Sequence, residues 1–246
     1  MGGVTEHAPT LLALPPGTVH VWVRPVPPGP EDEGLDRLDP EETARWHRFR
    51  RPETRRLFAA AHALLRAALS RYAAVDPRDW RFAADAHGRP HLTGPETGLT
   101  FNLTHTDGLA ACAVARGLAV GIDAERPDRR LDLDGMARVA FADPERAQVA
   151  AAPPERRNAV FFGVWTLKEA YIKARGLGLA LPLKSFSVTV EPPSITPAAD
   201  DPQAWDATLA RPTPDHLLAL AVPRGTAVEW RPNVRNVPYT APVRLA

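Results

Sequence analysis

Two short segments of the sequence place acidic and basic side chains at spacings that could support chemistry on a charged ligand. The first, Gly-Ile-Asp-Ala-Glu at 121–125, contains Asp123 and Glu125 two positions apart. Alternate residues of an extended strand point to the same side, so the two carboxylates would face one direction. The second segment reads Trp-Thr-Leu-Lys-Glu-Ala-Tyr-Ile-Lys and places Glu169 between Lys168 and Lys173 on a predicted helix.

Three carboxylates beside two lysines favour chemistry that combines a hard cation with phosphate groups. Mg²⁺ prefers oxygen ligands, takes few of them from the protein and leaves coordination positions for substrate phosphates. Lysine is scarce in this chain: among 30 basic residues only Lys168, Lys173 and Lys184 are lysines, and two of these lie in the second segment. Lysine offers phosphate a compact, mobile charge, which arginine does not. The two segments together predict metal-assisted phosphoryl chemistry.

The elements that would position these residues can be predicted from apolar periodicity and from proline and glycine positions. Long helices are expected over 53–72 and 155–174, with shorter helices over 40–50 and, broken at Pro144, over 131–151. Strands are expected at 19–23, 80–83, 99–103, 109–115, 118–123, 186–190, 206–209, 217–222 and 227–230. The order strand, long helix, antiparallel strands occurs twice, which is compatible with two similar α+β halves meeting near 118–123.

The composition of the 246 residues narrows the class of protein. An apolar fraction of 44% suffices for a core, and a net charge of +1 gives no general attraction to nucleic acid or membrane. No apolar run approaches the ~20 residues that span a bilayer, and the first sixteen residues lack the features of a signal peptide. Cys112 is the single cysteine, so no internal disulfide can form. We therefore expect a cytoplasmic protein without nucleic-acid or membrane partners.

Beyond the individual residues, the paired segments resemble the signatures of a known enzyme family. Gly-Ile-Asp-x-Glu, then Trp-x-x-Lys-Glu-Ala-x-x-Lys with its glutamate 44 residues after Glu125, then Gly-x-Gly-Leu, are similar to the motifs of 4′-phosphopantetheinyl transferases. The length resembles the single-chain, surfactin-synthetase-activating type. Gly88-Arg89-Pro90 and the Phe-Asn-Leu-Thr-His segment at 101–105 are weaker family-like features. The resemblance extends from about residue 40 to about residue 190.

The resemblance implies both an architecture and an activity. The fold would be α+β and pseudo-dimeric, with two similar halves that each pack an antiparallel sheet against a long helix. Residues 1–117 would form the coenzyme-binding half, residues 118–246 would carry the metal and catalytic motifs, and the chain would act as a monomer. The activity would transfer 4′-phosphopantetheine from coenzyme A to a serine of an apo acyl- or peptidyl-carrier protein and release adenosine 3′,5′-bisphosphate.

The resemblance also assigns roles to individual residues. Asp123, Glu125 and Glu169 would hold Mg²⁺, and Asp123 and Glu169 would be catalytic, with Glu169 taking the serine proton directly or through a metal-bound water. The residues expected to contact coenzyme A are Arg45, Arg56, Arg89, Thr104, His105, Lys168 and Lys173. Arg45 and Arg56 are chosen by position from the dense basic cluster within residues 45–56, which a solvated helix face would also explain. Lys168 points about 100° away from Glu169, so it could instead pair with an acid.

Two other functions use the same residues. A Mg²⁺-dependent hydrolase would pass the phosphorus to water and give free phosphopantetheine instead of a modified protein. A non-catalytic coenzyme A or carrier-binding module is the other alternative, although pure binding does not require three clustered acids. The product formed from coenzyme A distinguishes these functions.

Overall fold

The computed structural model describes residues 11–127 and 132–231, which form a mixed α+β structure. The helices are α1 Pro40–Arg48, α2 Pro52–Leu69, α3 Leu133–Ala140, α4 Asp143–Ala151 and α5 Pro154–Arg175. The strands are β1 Thr18–Pro25, β2 Arg81–Ala84, β3 Pro90–Gly94, β4 Leu99–Thr106, β5 Leu109–Arg116, β6 Gly121–Glu125, β7 Ser187–Val190, β8 Pro193–Thr196, β9 Trp205–Thr213, β10 His216–Pro223 and β11 Ala227–Arg231. Within these described ranges, no helix is both long and apolar enough to cross a bilayer.

Two sheets and two long helices build the core. One sheet has the strand order β11-β1-β5-β4 and packs against α2, and the other has the order β6-β10-β9 and packs against α5. The pairs within both sheets are antiparallel, except that β11 runs parallel to β1. The predicted fold class, with a sheet and a long helix in each half, is confirmed.

The two sheets face each other across a layer of small and branched apolar residues. Val19 and Val21 of β1 and Ala111 and Ala113 of β5 are buried in the same cluster as Ile122 of β6. On the opposite strand faces, Trp22 and Cys112 belong to the cluster that includes α2. Leu217 and Ala219 of β10 belong to the cluster that includes α5, while their neighbour Leu218 lies in the layer between the sheets. This alternation makes the molecule four layers thick, in the order helix, sheet, sheet, helix.

The C-terminal strand complicates the expected division of the chain. β11 follows all strands of the second sheet in sequence, yet it pairs with β1 from Thr18↔Ala227 to Trp22↔Arg231 in the first sheet. The boundary between residues 117 and 118 stays a prediction. The last strand of the described residues, β11, nevertheless belongs to the sheet that the first part of the chain forms.

Most predicted elements occur within a few residues of their expected bounds, and the differences have local causes. β6 begins at Gly121 rather than at residue 118 because its first partner on β10 is Ala221. The expected helical segment 131–151 is two helices separated at Phe141 and Ala142, while Leu131 lies outside the described residues. β3 and β8 were not predicted from the sequence; each begins at a proline and is only partly buried.

The contact between α5 and β6 depends on the absence of a side chain at Gly121. A Cβ atom there would lie 1.9 Å from the carbonyl oxygen of Ala170 and 2.4 Å from the backbone nitrogen of Ala174. The backbone of α5 therefore lies directly on β6. This contact brings the acidic strand motif next to the helical motif that contains Glu169 and Lys173.

We expect Gly121→Ala to destabilise the protein by about 3 kcal/mol or more, because neither backbone atom can move without displacing α5. Chemical denaturation monitored by circular dichroism measures the loss. Gly29→Ala is the matched control, since a Cβ at Gly29 meets its nearest neighbour only at 4.0 Å. Equal stability of the two variants would contradict the close helix–strand contact.

Candidate active site

Two adjoining cavities form a cleft beside the motif residues. The first has a volume of about 550 Å³, and its charged lining includes Arg45, His105, Asp123 and Glu125. The second has a volume of about 800 Å³ and a mainly apolar lining, in which Trp165, Ile172, Leu181 and Leu183 accompany Arg89 and Glu169. Lys173 lines both cavities, together with Gly88, Pro90 and Leu103. The junction of the cavities therefore lies at the lysine of the helical motif.

The ammonium group of Lys173 connects the helix to the acidic strand. Its Nζ donates to Asp123 Oδ1 at 2.6 Å, to the carbonyl oxygen of Ile122 at 3.2 Å and to the hydroxyl of Thr104 at 3.4 Å. The Asp123 side chain is nearly buried, whereas about a third of the Lys173 side chain is exposed. The ammonium group is thus held by three acceptors within the protein, while part of the side chain lines the cleft.

Side chains of β4 hold β6 in place where the two sheets meet. The amide oxygen of Asn102 accepts a hydrogen bond from the backbone nitrogen of Ile122 at 3.0 Å. The hydroxyl of Thr104 accepts from the backbone nitrogen of Ala124 at 3.1 Å and donates to Asp123 Oδ1 at 3.3 Å. The expected contact of Thr104 with a coenzyme phosphate stays a prediction; the hydroxyl lines the first cavity and also helps to position Asp123. In the sequence, Asn102 is visible only as part of a family-like pattern.

The three acidic residues interact electrostatically. Burial raises the pKa of Glu169, and the negative charges of Asp123 and Glu125 raise it further, while Lys173 opposes this effect. Asp123 Oδ2 is buried and has no hydrogen-bond partner within the described residues. A cation beside these groups would relieve both the repulsion and the unsatisfied oxygen. Their chemistry therefore suits a hard cation.

The described residues do not form a complete set of metal ligands. Among residues 11–127 and 132–231, no group of three or more histidine, cysteine, aspartate or glutamate side chains is placed so that it could hold a metal ion. Asp123, Glu125 and Glu169 as a three-residue Mg²⁺ site thus stay a prediction. Mg²⁺ usually keeps several waters and needs only one or two protein carboxylates, so a smaller protein contribution would suffice.

Positive and titratable groups crowd the first cavity. His105 is exposed on the open side of the cleft, while the cleft walls remove part of the water around its ring. This desolvation lowers the pKa of His105, and the positive charges of His62, Lys173 and Arg45 lower it further, to about 4. The imidazole is therefore neutral at pH 7. An anion in the cavity would reverse these contributions and favour the protonated ring.

Arg45 and His62 share one aromatic neighbour on the wall of this cavity. The guanidinium of Arg45 lies 5.3 Å from the ring centroid of Phe58, and the ring of His62 lies 4.1 Å from the same ring. His62 Nδ1 is 2.7 Å from Glu42 Oε1, which fixes the orientation of the ring. His62 is not among the predicted site residues, although a histidine on the apolar stripe of α2 is a visible signal in the sequence.

Arg89 reaches from the β2–β3 turn to the opposite side of the cleft. Its guanidinium donates to the carbonyl oxygens of Ala174 at 3.2 Å and Val120 at 3.4 Å. Burial lowers the pKa of this side chain. Arg89 thereby joins the turn to the C-terminal end of α5 while it lines the second cavity.

Two residues expected in the coenzyme pocket lie elsewhere. Lys168 is 1% exposed and donates from Nζ to both carboxylate oxygens of Glu145, so it faces the interior and not the cleft. Arg56 donates to the carbonyl oxygen of Gly29 at 3.2 Å and lines neither cavity. Helical geometry explains why Lys168 faces away from the cleft, because its side chain projects about 100° from that of Glu169. Only the fold shows that Arg45 lines the cleft and Arg56 does not.

Comparison with known proteins identifies relatives over nearly the whole chain. A family model described as the 4′-phosphopantetheinyl transferase superfamily matches residues 119–221. The 4′-phosphopantetheinyl transferase HetI of Nostoc sp. (strain PCC 7120) is 34% identical over 229 residues, covering 91% of this chain and 94% of the relative. The 4′-phosphopantetheinyl transferase Sfp of Bacillus subtilis (strain 168) is 29% identical over 67% of this chain and 72% of its own length.

Solved structures are similar to a smaller part of the chain. The holo-[acyl-carrier-protein] synthase of Thermotoga maritima has a TM-score of 0.36 and 22% identity, covering 43% of this chain and 63% of its own. The Bacillus anthracis holo-(acyl-carrier-protein) synthase, in complex with CoA (3′,5′-ADP), has a TM-score of 0.37 and 19% identity, covering 43% of this chain and 96% of its own.

We expect Glu169→Gln to raise the stability of the metal-free protein at neutral pH, by on the order of 1 kcal/mol. The raised pKa means that the ionised carboxylate is penalised in the folded state. The penalty is absent below the unfolded-state pKa, where both states are protonated, and develops as the pH rises through the window between the unfolded and folded pKa values. Denaturant titrations at several pH values measure the difference.

Adding Mg²⁺ or Mn²⁺ should then stabilise the wild type more than the Gln variant, because a bound ion offsets the repulsion. Glu155→Gln, at the N-terminal end of the same helix, is the control. A stability gap that is constant from pH 4 to pH 8 would contradict the electrostatic coupling of the three acids.

Proposed function

Because this chain belongs to the 4′-phosphopantetheinyl transferase superfamily, we propose that it transfers the 4′-phosphopantetheine group of coenzyme A to a serine of an apo carrier protein. The observation that carries the proposal is the ion pair of Lys173 and Asp123 at the junction of a charged and an apolar cavity. Coenzyme A has the matching chemistry, since a highly charged nucleotide continues through a pyrophosphate into a long, weakly polar arm.

The two cavities suggest how the coenzyme would lie. The first cavity offers Arg45 and His105 to the phosphorylated nucleotide. The second cavity offers Trp165 and Ile172 to the pantetheine arm and leaves room for the carrier serine. The pyrophosphate would then lie between them, beside Lys173, whose side chain lines both cavities.

The residues at the junction account for the chemistry of transfer. The serine oxygen attacks the phosphorus on the pantetheine side, the bond to the second phosphate breaks, and adenosine 3′,5′-bisphosphate leaves. Glu169, which lines the second cavity where the carrier serine would enter, accepts the serine proton. Lys173 stays beside the transferred phosphoryl group and balances its charge, while Thr104 keeps Asp123 in position.

A divalent cation would complete this site. Asp123, through its unpaired Oδ2, would hold Mg²⁺ with Glu125 and Glu169, and the ion would neutralise charge on the pyrophosphate. This assignment rests on the donor chemistry and on the repulsion among the three acids. We also propose that the protein is cytoplasmic, for which the buried single cysteine Cys112 is the support. We further propose a monomer, because one chain supplies both walls of the cleft.

The experiment that tests the proposal mixes the purified protein with coenzyme A, Mg²⁺ and several apo acyl- and peptidyl-carrier proteins. Intact-protein mass spectrometry should detect the gain of one phosphopantetheine on at least one carrier, and Asp123→Asn should abolish that gain while the circular dichroism spectrum is unchanged. Free phosphopantetheine without carrier modification would instead identify a hydrolase. Tight coenzyme A binding without any product would identify a binding module.

We expect Arg45 to recognise the 3′-phosphate of coenzyme A, because its guanidinium lies on the wall of the charged cavity. Arg45→Ala should weaken coenzyme A binding by roughly 10-fold or more, the loss expected for a charged hydrogen bond. The variant should bind coenzyme A and 3′-dephospho-coenzyme A almost equally, as calorimetry can measure.

Arg56→Ala is the matched control, since this neighbouring arginine on α2 lies outside both cavities. It should keep the wild-type preference for the 3′-phosphate. If Arg56→Ala loses the preference and Arg45→Ala retains it, the assignment of the 3′-phosphate to the charged cavity is wrong.

A further inference from the structure

We propose that Lys168 is a positioning residue for Glu169, and that its buried ion pair with Glu145 holds α5 in the rotation that presents Glu169 to the cleft. This inference rests on the proposed function, because it concerns the same site. It assigns to the first lysine of the helical motif a role inside the protein rather than a contact with coenzyme A.

The ion pair joins three elements at one point. Lys168 Nζ on α5 donates to Glu145 Oε1 at 2.7 Å and Oε2 at 2.9 Å on α4, and to the carbonyl oxygen of Phe186 at 3.1 Å just before β7. Nζ also lies 4.0 Å from the ring centroid of Phe186. The three donor positions of the ammonium group are thereby used within the protein.

The carboxylate oxygens of Glu145 also have all their hydrogen-bond partners within the protein. Besides Lys168, its carboxylate accepts from the backbone nitrogen of Val188 at 2.9 Å and from that of Ala142 at 2.7 Å. The side chains of Lys168 and Glu145 are 1% and 0% exposed. Burial lowers the pKa of Lys168 and raises that of Glu145, and each partner's charge opposes the shift in the other. The pair is therefore a fixed connection that solvent cannot replace.

The position of the pair along α5 links it to the site. Lys168 directly precedes Glu169, so any rotation of the helix at Lys168 moves the Glu169 carboxylate with it. Packing of Ala170 on Gly121 and the pair of Lys173 with Asp123 hold one side of α5 against β6. The buried pair of Lys168 with Glu145 adds a directional contact on another side of the helix, at the residue next to Glu169, so that α5 is held from two directions. Because displacements of about 1 Å can lower a rate roughly 100-fold, this fixation matters for transfer.

Other polar connections of this helix lie further along, beginning with the pair of Lys173 and Asp123 one turn after Glu169. Tyr171 donates to Asp201 at 2.6 Å, and Arg175 pairs with Asp201 at 3.1 Å, which ties the C-terminal turn of α5 to the loop before β9. Lys168 is the connection next to Glu169. We therefore expect its loss to disturb Glu169 while leaving the charged cavity, and with it coenzyme binding, intact.

The test uses Lys168→Met, Glu145→Gln and the double variant Lys168→Met/Glu145→Gln. Each single variant leaves one buried charge without its partner and should lower the melting temperature strongly, whereas the double variant should recover most of this loss because neither charge remains. The position of Glu169, in contrast to the stability, should not be restored in the double variant. The double variant should show a kcat lowered about 10-fold or more, with the KM for coenzyme A within about 2-fold of wild type.

A second readout does not depend on activity. Electron paramagnetic resonance of Mn²⁺ should give a dissociation constant raised about 10-fold or more in the double variant, because Glu169 no longer faces the ion correctly. Arg156→Met is the matched control: Arg156 lies on the same helix and pairs with Glu191 next to β7, but the pair is exposed and remote from Glu169. Both kcat and Mn²⁺ affinity should be unchanged in this variant.

The outcomes separate the inference from the proposed function. A double variant that folds and keeps wild-type kcat and Mn²⁺ affinity would overturn the positioning role, as would a double variant that fails to fold, because the pair would then support the whole fold. A raised KM for coenzyme A with unchanged kcat would also overturn it, by returning Lys168 to coenzyme binding. If the wild type modifies no carrier, the proposed function fails, and the Mn²⁺ measurement still decides the role of Lys168.

Discussion

The close approach of α5 to β6 is the contact on which the rest of the site depends. With no Cβ at Gly121, the helix backbone near Ala170 and Ala174 lies directly on the strand. This approach places Asp123 within reach of Lys173, although 50 residues separate them in the chain. A pair of motifs on two different elements becomes one site only because the glycine allows the elements to touch.

Around that contact, the protein concentrates charge that it then balances within the chain. Lys173 pairs with Asp123, and the buried Lys168 pairs with Glu145 on the opposite side of the same helix. Glu169 remains in an environment that raises its pKa, because burial and two neighbouring acids disfavour its charge. This unfavourable electrostatic environment lowers the stability of the folded protein. Functional sites commonly retain such environments because the ionised group acts on a ligand.

The cleft lies where the elements of the two sheets meet, and side chains replace part of the backbone hydrogen bonding there. β6 belongs to the second sheet, yet Asn102 and Thr104 of β4 bond to its backbone from the first sheet. The sheets also share a buried apolar layer, and β11 returns to pair with β1. These connections hold the walls of the cleft together, which lets residues from distant segments keep fixed positions.

The sequence by itself determined the elements, the fold class and the family, because hydrophobic periodicity and motif spacing are local properties. Asp123, Glu125, Glu169 and Lys173 could be selected from their types and spacing alone, and all four line the cleft. The same information could place Lys168 only by its helical angle and left its partner open. It also could not predict β3 or β8, whose short, proline-led strands lack a clear alternation.

Only the tertiary structure decided which charged residues face the cleft. Arg45 and Arg56 belong to one basic cluster in the sequence, yet the cavity includes Arg45, while Arg56 bonds to the backbone of Gly29. Likewise, the hydroxyl of Thr104 serves Asp123. The direction of a side chain depends on the packing of elements far apart in the chain. A motif therefore identifies the residues of a site, and the contacts between helices and sheets decide what each one touches.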